Sequence, residues 1–278
     1  MRIFVAGATG QVGRLLIPML IAGGHQVTGI GRSADGVRAL AEQGAAGVRV
    51  DVYDRAALAA AVREAAPDVL VHQLTALSGG SLADNARIRH EGTRNLVDAA
   101  KAAGVRRLVA QSIAWAYAPG DTPATEETPL DPAADGARAV TVDGVRALET
   151  QAAEVVEHVV LRYGMFYGPG TWYHREGRVG RQLLAGDFTA NDGVTSFLHI
   201  EDAALAAAQA VSWPAGVYNI VDDQPLPSRV WAAAFAEALG APPPRVVPGR
   251  AAWERGADNS LARAKLSWTP KHPLFRTT

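Results

Sequence analysis

The chain has 278 residues, of which 48% are hydrophobic and 20% charged, and its formal net charge is −1. This length and apolar content allow one large α/β domain, or one domain with a small appendage. A net charge close to zero gives no electrostatic footprint for nucleic acid or for an anionic membrane surface. The sequence contains no cysteine, which excludes disulfides, thiolate catalysis and cysteine-ligated zinc.

The N-terminal segment MRIFVAGATG has one basic residue and an apolar run of only four residues before a glycine. This run is shorter than the hydrophobic core of a signal peptide, and no segment approaches the ~18 apolar residues of a membrane span. We therefore expect a cytoplasmic protein that has no membrane partner.

Short β-branched runs alternate with helical stretches over the first 165 residues. The runs are apolar at their centres, as strands of a buried parallel sheet are, and they lie at 2–7, 26–31, 47–50, 68–73, 107–112 and 158–163. The segments between them have helical spacing, and the one at 82–104 ends at Gly104, a typical C-terminal stop. This alternation predicts an α/β fold, a Rossmann-type doubly wound parallel sheet with right-handed crossovers.

The alternation breaks down after residue 165. Glycine and aromatic residues concentrate at 164–177, and prolines concentrate at 241–249. We therefore predict a dinucleotide-binding Rossmann domain over 1–165, with 194–222 packing back on it, and a small irregular substrate-binding lid over 166–278.

A glycine-rich turn follows the first strand directly and opens the first helix. Gly7, Gly10 and Gly13 have the spacing G-x-x-G-x-x-G. The first two allow a tight turn and close approach of a pyrophosphate, and the third lets helix and strand pack closely. The helix N-terminus favours the anion. In this context the pattern predicts a dinucleotide site.

The end of the second strand predicts which dinucleotide binds. An Asp or Glu there meets a free ribose 2′-hydroxyl, whereas an arginine meets a 2′-phosphate. Arg32 and Ser33 occupy this place, and Asp35 comes too late in the chain. The planar guanidinium suits a phosphate, so NADP(H) is preferred over NAD(H); the alternative is a solvated surface arginine.

Taken together, these motifs resemble the extended or atypical short-chain dehydrogenase/reductase family, the NAD(P)-dependent epimerase/dehydratase group. The matching segments run in order through nearly the whole chain: GATGQVG (7–13), VDVYD (50–54), DVLVHQLTA (68–76), EGTRNLVDAAKAAGVRRLV (91–109), LRYGMFYGPG (161–170), FLHIEDAA (197–204), VYNIVDD (217–223) and LSWTP (266–270). The resemblance implies that Asp51 meets the adenine. It implies further cofactor contacts at Thr9, Gln11, Val12, Val52, Leu74, Thr75 and Tyr163.

Family chemistry uses a Tyr-x-x-x-Lys helix together with a serine on the preceding strand. The tyrosine is the general acid/base, the lysine holds the nicotinamide ribose, and the serine orients the substrate carbonyl. Ser112 matches the serine, but Val142 stands in the tyrosine's place and Arg146 in the lysine's. Valine cannot donate a proton, and an arginine that stays protonated can only hydrogen-bond a ribose or attract a phosphate.

A replacement proton donor must then come from elsewhere. Tyr117, five residues after Ser112 on the loop over the crevice, is the first choice; a tyrosine that only packs the substrate pocket is the alternative. Other hydroxyl or imidazole groups near the expected crevice belong to Tyr163, Tyr167, Tyr173 and His174. His199 is expected to hold its loop through a backbone hydrogen bond. The histidines show no metal spacing, so we predict no metal.

The resemblance implies an NADP(H)-dependent oxidoreductase that reduces or oxidises a carbonyl-type small molecule by hydride transfer. Two alternatives stay open: an NAD(P)-dependent epimerase or dehydratase without net redox change, and a cofactor-binding sensor without turnover. The expected partner is a small-molecule substrate. The family also uses the helices at 82–103 and 136–153 for homodimers, and here their outer faces carry scattered charge, which leaves dimerisation open.

Overall fold

The computed structural model describes residues 1–77 and 81–276. Close contacts divide the chain into two compact units. The first unit comprises Met1–Ser112, Ala133–Leu161 and Ala204–Val217. The second unit comprises Ile113–Pro132, Arg162–Ala203 and Tyr218–Thr278.

The strands over the described residues are β1 (Arg2–Ala6), β2 (Gln26–Gly31), β3 (Ala46–Arg49), β4 (Val69–His72), β5 (Arg107–Ile113), β6 (Glu157–Tyr163), β7 (Met165–Tyr167), β8 (Thr189–Ala190), β9 (Val194–Thr195), β10 (Phe197–His199), β11 (Gly216–Ile220), β12 (Leu226–Pro227) and β13 (Arg245–Val246). The α-helices are α1 (Gln11–Ala22), α2 (Ala34–Glu42), α3 (Arg55–Ala65), α4 (Leu82–Arg87), α5 (Thr93–Ala102), α6 (Gly136–Ala152), α7 (Arg178–Leu184), α8 (Ile200–Gln209), α9 (Ser228–Leu239) and α10 (Ser260–Leu266). A π-helical turn, Ile88–Gly92, joins α4 to α5.

Seven of these strands form one sheet in the order β11-β6-β5-β4-β1-β2-β3. The pairs β1–β2, β2–β3, β1–β4 and β4–β5 are parallel. The chain first moves outward from β1 to β3 and then returns to place β4 beside β1. Ligands of such sheets bind at the carboxyl ends of the strands where the order reverses, so the ends of β1 and β4 mark the expected crevice. The predicted doubly wound sheet is confirmed.

The core of the first unit explains why its strands are apolar throughout. Phe4, Leu70 and Leu108, on three neighbouring strands, are all fully buried. They pack with residues of α3, α5 and α6 in one cluster. Strands that are covered by helices have no solvated face, so they carry continuous rather than alternating hydrophobic residues.

The second unit has an aromatic core. Phe197 of β10 stacks on Phe275 with ring centroids 4.1 Å apart. Tyr167 and Trp231 join the same cluster, with Trp231 meeting Phe197 edge to face at 5.5 Å. Edge-to-face and stacked aromatic pairs add ~0.5–1.5 kcal/mol each to the free energy gained from burial, so a few large rings stabilise a unit that has only short strands.

The two compact units do not correspond to the N-terminal and C-terminal halves of the sequence. Ala204–Val217, a helix and the start of a strand, belongs to the first unit, whereas the loop Ile113–Pro132 belongs to the second. The predicted domain limits at 165 and 166 stay a prediction. None of the helices in the described residues is long and apolar enough to cross a membrane.

Candidate active site

The glycine turn after β1 leaves no room for side chains. Gly7 has φ +91°, and a Cβ there would lie 2.5 Å from the carbonyl carbon and oxygen of Gln73, which follows β4. A Cβ on Gly13 would lie 2.2 Å from the Gly7 carbonyl oxygen. The turn is therefore pressed against both the end of β4 and the start of α1. This is the close packing that a dinucleotide-binding turn requires.

The first turn of α1 is uncapped by side chains. Its N-cap is Gly10, which has no side chain that could accept from the first helical N–H groups. Thr9 is half-buried, Gln11 is exposed and Val12 is buried. Uncapped N–H groups at a helix N-terminus, with the positive end of the helix dipole, stabilise an anion such as a pyrophosphate. The residues present therefore fit the pyrophosphate of a dinucleotide.

Two arginines lie together beyond β2. The side chains of Arg32 and Arg49 are both exposed, and Arg49 Nε donates to the Arg32 backbone oxygen at 3.2 Å. Ser33 Oγ caps α2 by accepting from the Gly36 N–H at 3.1 Å. Positive charge and a helix N-terminus therefore occur at the place where the family binds the adenosine ribose.

The predicted adenine contact lies on a turn that its own side chain stabilises. Asp51 Oδ1 accepts from the Tyr53 N–H at 3.0 Å, and the residue is exposed. Val52 is buried, and its backbone oxygen accepts from Asn95 Nδ2 at 2.9 Å. The second carboxylate oxygen of Asp51 is thus presented on an anchored turn.

A buried histidine fixes the loop after β4. The Leu74 N–H donates to His72 Nδ1 at 3.2 Å, and His72 Nε2 lies 2.9 Å from Thr93 Oγ1. Because Nδ1 accepts, Nε2 carries the proton and donates to Thr93. Burial lowers the pKa of His72 to about 4, with the Arg89 charge adding to the effect. Gln111 Nε2 donates to the Leu74 oxygen at 2.9 Å, so the backbone of Leu74, which precedes the exposed Thr75, is held at both its amide and its carbonyl.

The hydroxyl predicted to orient the substrate has a protein partner. Ser112 Oγ donates to Glu149 Oε1 of α6 at 2.6 Å, and Ser112 is 4% exposed. Arg89 is also buried, and its Nη1 donates to the Thr141 oxygen at 3.3 Å. Burial lowers the pKa of Arg89 to about 10, and the charge of Glu149 opposes this shift. Strand β5, helix α6 and the π-helical turn thus meet in a buried polar cluster.

Val142 and Arg146 of helix α6 differ in their exposure to solvent. Val142 is 1% exposed, whereas the Arg146 side chain is exposed. The neighbouring register, with Thr141 and Val145 in the two places, would put both residues on the buried face. Neither register supplies a tyrosine or a lysine, because α6 contains neither residue type.

Tyr117 lies in a buried polar network of the second unit. Its hydroxyl donates to Asn219 Oδ1 at 2.5 Å and accepts from Arg162 Nη1 at 2.9 Å. Asn219 in turn donates to the backbone oxygens of Ala124 and Asp258. With 1% exposure, the Tyr117 hydroxyl has both a donor and an acceptor within the protein.

The remaining candidate donors are mostly buried as well. Tyr163 is 2% exposed, and its hydroxyl donates to the Ala203 oxygen at 3.3 Å. Tyr167 donates to the Leu274 oxygen at 2.9 Å. Burial raises the pKa of Tyr167 and raises that of Tyr173 to about 12. His174 is half-buried in the following segment. The hydroxyls of Tyr167 and Tyr173 therefore keep their protons at neutral pH.

The second unit contains a cavity of about 250 Å³. Three tryptophans (Trp115, Trp231 and Trp253) and one carboxylate, Glu254, are among the residues that line it. Of the glycine- and aromatic-rich segment 164–177, Gly164, Met165 and Tyr173 line the cavity. The tryptophans at 231 and 253 and Glu254 were not foreseen, because nothing in their local sequence distinguishes them from core or surface residues.

One histidine cluster among the described residues has the composition of a metal site. Ligand atoms of His199, Glu201 and His272 lie within 4.8 Å of one another. The two imidazole rings face each other with centroids 3.8 Å apart and planes at 34°. The rings are tilted rather than parallel, and one of their nitrogens, His199 Nδ1, already has a backbone partner. The absence of a metal stays a prediction; His199 Nδ1 accepts from the Glu201 N–H at 3.4 Å.

Comparison with known proteins places the chain among nicotinamide-dependent enzymes. Residues 3–220 match the model of the NAD dependent epimerase/dehydratase family. A 3-diazoavenalumate denitrifying reductase of a Streptomyces species is 44% identical over 99% of this chain and 98% of that protein. A UDP-glucose 4-epimerase of Mycolicibacterium smegmatis is 29% identical over 99% and 95%.

Two solved structures of NAD-containing enzymes are also similar to this chain. The Bordetella bronchiseptica enzyme WbmG in complex with NAD and UDP matches with a TM-score of 0.79 and 25% identity, over 98% of this chain and 90% of that one. A Thermus thermophilus UDP-glucose 4-epimerase in complex with NAD matches with a TM-score of 0.76 and 26% identity, over 98% and 94%. The chain belongs to the NAD-dependent epimerase/dehydratase family.

The predicted family and the predicted class, an oxidoreductase enzyme, are confirmed. The two solved structures named above contain NAD rather than NADP. The roles predicted for individual residues stay predictions.

Proposed function

We propose that this protein is an NADPH-dependent reductase that transfers hydride to a diazo-substituted small molecule and releases dinitrogen. The name of its 44% identical relative describes reduction of a diazo compound with loss of nitrogen. The two proteins match over almost their full lengths, which supports a shared reaction class more strongly than the epimerases do at 29% identity.

The reaction needs no protein acid. For an aryl diazonium, Ar–N₂⁺ + NADPH gives Ar–H + N₂ + NADP⁺: the hydride supplies both electrons and the hydrogen, the C–N bond breaks, and no proton enters the balance. Reduction of a carbonyl, in contrast, adds a hydride and a proton, and the proton is what a general acid supplies. The missing tyrosine of the Tyr-x-x-x-Lys pair therefore removes no proton that this reaction uses.

The observation that carries the proposal is helix α6. It contains no tyrosine, lysine or histidine, so the family's acid has no replacement on its own helix. Ser112 is hydrogen-bonded to Glu149, and Tyr117 to Asn219 and Arg162. We interpret these partners as structural, which leaves cofactor and substrate binding as the main contributions of the protein.

We propose NADPH as the hydride source. The glycine turn at Gly7 and Gly13 and the uncapped start of α1 would hold the pyrophosphate. Arg32 and Arg49 would attract the 2′-phosphate, because a guanidinium fork matches phosphate geometry. When bound, the nicotinamide supplies the hydride; the residues of the chain bind and orient it.

The test uses the full-length protein with benzenediazonium as the aryl diazonium and, in parallel, a panel of aldehydes and ketones. We expect one NADPH oxidised per N₂ released, measured by absorbance and by gas mass spectrometry, above a control without protein. The Ser112→Ala, Tyr117→Phe double variant should keep kcat within about threefold, with Ser112→Ala alone as a second variant that leaves the Tyr117 network intact.

Three outcomes would overturn the proposal. In the first, the unaltered protein turns over a carbonyl compound that the double variant does not turn over. This result would support a carbonyl reductase in which Ser112 and Tyr117 have catalytic roles. Tightly bound oxidised cofactor that added NADPH does not exchange would support an epimerase or dehydratase. NADPH binding without turnover of either panel would favour a sensor.

A further inference from the structure

The cavity of the second unit has an aromatic wall held in place by ring contacts. Trp231 meets Tyr173 at 5.4 Å between centroids and meets Phe188 at 5.4 Å, both nearly edge to face. All three line the cavity, as do Trp115 and Trp253. Trp231 is 3% exposed, and its Nε1–H meets no acceptor among the described residues. The wall therefore presents several aromatic rings and retains one donor that protein atoms do not satisfy.

Glu254 is the one charged residue among the described residues that line this cavity. Both hydrogen bonds of its side chain involve Oε2, which accepts from the Ala251 N–H at 2.8 Å and from Asn191 Nδ2 at 3.4 Å. Gly193 gives the carboxylate its space, because a Cβ there would lie 2.7 Å from Glu254 Oε2. Oε1 accepts no hydrogen bond from the described residues, so half of the carboxylate is left for a ligand.

The cavity does not suit a nucleotide diphosphate. Recognition of a diphosphate uses arginine or lysine clamps, and no arginine or lysine is among the described residues that line it. Its volume of about 250 Å³ is below the ~300–1,000 Å³ that sites for drug-sized ligands usually have. A single substituted aromatic ring is closer to this size.

We propose that this cavity binds an aromatic ring that carries a positive charge, and that Glu254 is the residue that determines this specificity. Trp, Tyr and Phe faces attract a cation through their ring quadrupoles, and the effect grows when the site is desolvated. A carboxylate at the same cavity adds attraction for a cation and repels an anion. The inference rests on the proposed function in one respect: an aryl diazonium is such a ring.

Binding can be tested without cofactor and without turnover. Isothermal titration of the full-length protein would compare phenyltrimethylammonium with its neutral isostere tert-butylbenzene and with benzoate. We expect the cation to bind at least about fivefold more tightly than the isostere and benzoate to bind most weakly. Glu254→Gln should remove most of the preference for the cation while leaving affinity for the isostere unchanged.

Matched variants separate this effect from a fold defect. Glu237→Gln, on the exposed side of α9 in the same unit, should leave the affinities for all three ligands unchanged. Trp231→Phe should lower the affinity for both the cation and the isostere. Equal binding of cation and isostere by the unaltered protein, or the same preference in Glu254→Gln, would overturn the proposal. Because no cofactor is used, failure of diazo reduction with an intact cation preference would reject the proposed reaction and keep the proposed specificity.

Discussion

Ser112 at the end of β5 and Glu149 on α6 are joined by a hydrogen bond of 2.6 Å in which the hydroxyl donates to the carboxylate. The hydroxyl was predicted from the sequence to orient a substrate. In this structure the hydroxyl donates its proton to a half-buried carboxylate that also interacts with Arg89. Strand, helix and π-helical turn are thereby tied together at the carboxyl edge of the sheet.

Ser112→Ala should lower the free energy of unfolding by ~1–3 kcal/mol, because a buried carboxylate oxygen loses its donor. Glu149→Gln should cost less, since an amide oxygen can still accept from Ser112. Urea unfolding of both variants measures the difference, with Ser212→Ala, an exposed serine in the same unit, as control. Unchanged unfolding of Ser112→Ala would mean that the pair contributes nothing to stability.

Arg32→Glu should raise the Kd for NADPH by about tenfold or more, because it replaces a charge-assisted contact to the 2′-phosphate with repulsion. The Kd for NADH should change by less than about threefold, since screening weakens charge effects at exposed sites. Arg63→Glu on α3 makes the same charge change at another exposed position. Equal losses for both cofactors would contradict a 2′-phosphate site; fluorescence titration of each reduced cofactor gives the values.

His72 should make stability fall as the solution is acidified. Burial holds its pKa at about 4, below the ordinary value of 6.5, so between these values the unfolded chain binds a proton that the folded chain does not. The free energy of unfolding therefore falls as pH drops from about 6.5 to 4. His72→Asn should flatten the curve in this window, whereas His90→Asn, at a more exposed histidine, should not. A parallel slope in both variants would remove His72 as the cause.

Asp222 should make the free energy of unfolding fall as the pH rises, which is opposite to the effect of His72. Burial raises its pKa to about 8 from the ordinary 3.8, so the folded chain holds a proton that the unfolded chain releases. The free energy of unfolding should decline as pH rises from about 4 to 8. Asp222→Asn should abolish this decline, and Asp187→Asn, an exposed aspartate of the same unit, serves as control. Thermal unfolding over this range measures both; an unchanged slope in Asp222→Asn would be the contrary result.

Chelation should leave the enzyme unaffected. His199 Nδ1 already accepts a hydrogen bond from the Glu201 N–H, which leaves the cluster with one ring nitrogen fewer for a metal, so EDTA treatment should change neither Tm nor NADPH oxidation by more than experimental error. Elemental analysis by mass spectrometry should find less than one equivalent of zinc per chain. A stoichiometric metal that EDTA removes with loss of stability would contradict this prediction.

The fold was predictable because its signals are local. Each buried strand carries a continuous apolar run, and Gly7 and Gly13 are required by contacts that any such turn makes. Position in the sheet follows from the order of strands and the handedness of crossovers, so the crevice between β1 and β4 could be expected before the structure.

The functional partners were harder to predict because they come from distant parts of the chain. Ser112 and Glu149 are 37 residues apart, and Tyr117 and Asn219 are 102 residues apart. From the sequence alone, Ser112 at a strand end and Tyr117 in a loop are interpreted as ligand contacts, because their partners within the protein are not known. Trp231 lies on a helix whose periodicity indicates only a buried face, so its place in the cavity wall depends on tertiary packing.

The burial of Val142 bears on whether the family's acid can be restored in this chain. With 1% exposure, the position is sealed by its neighbours, and a tyrosine there would overpack the core at a cost of ~1–3 kcal/mol. The new tyrosine would also have no lysine one helical turn away, because α6 contains none. A Val142→Tyr change would thus destabilise the helix, so a tyrosine at this position carries a cost in stability whether or not it supplies a proton.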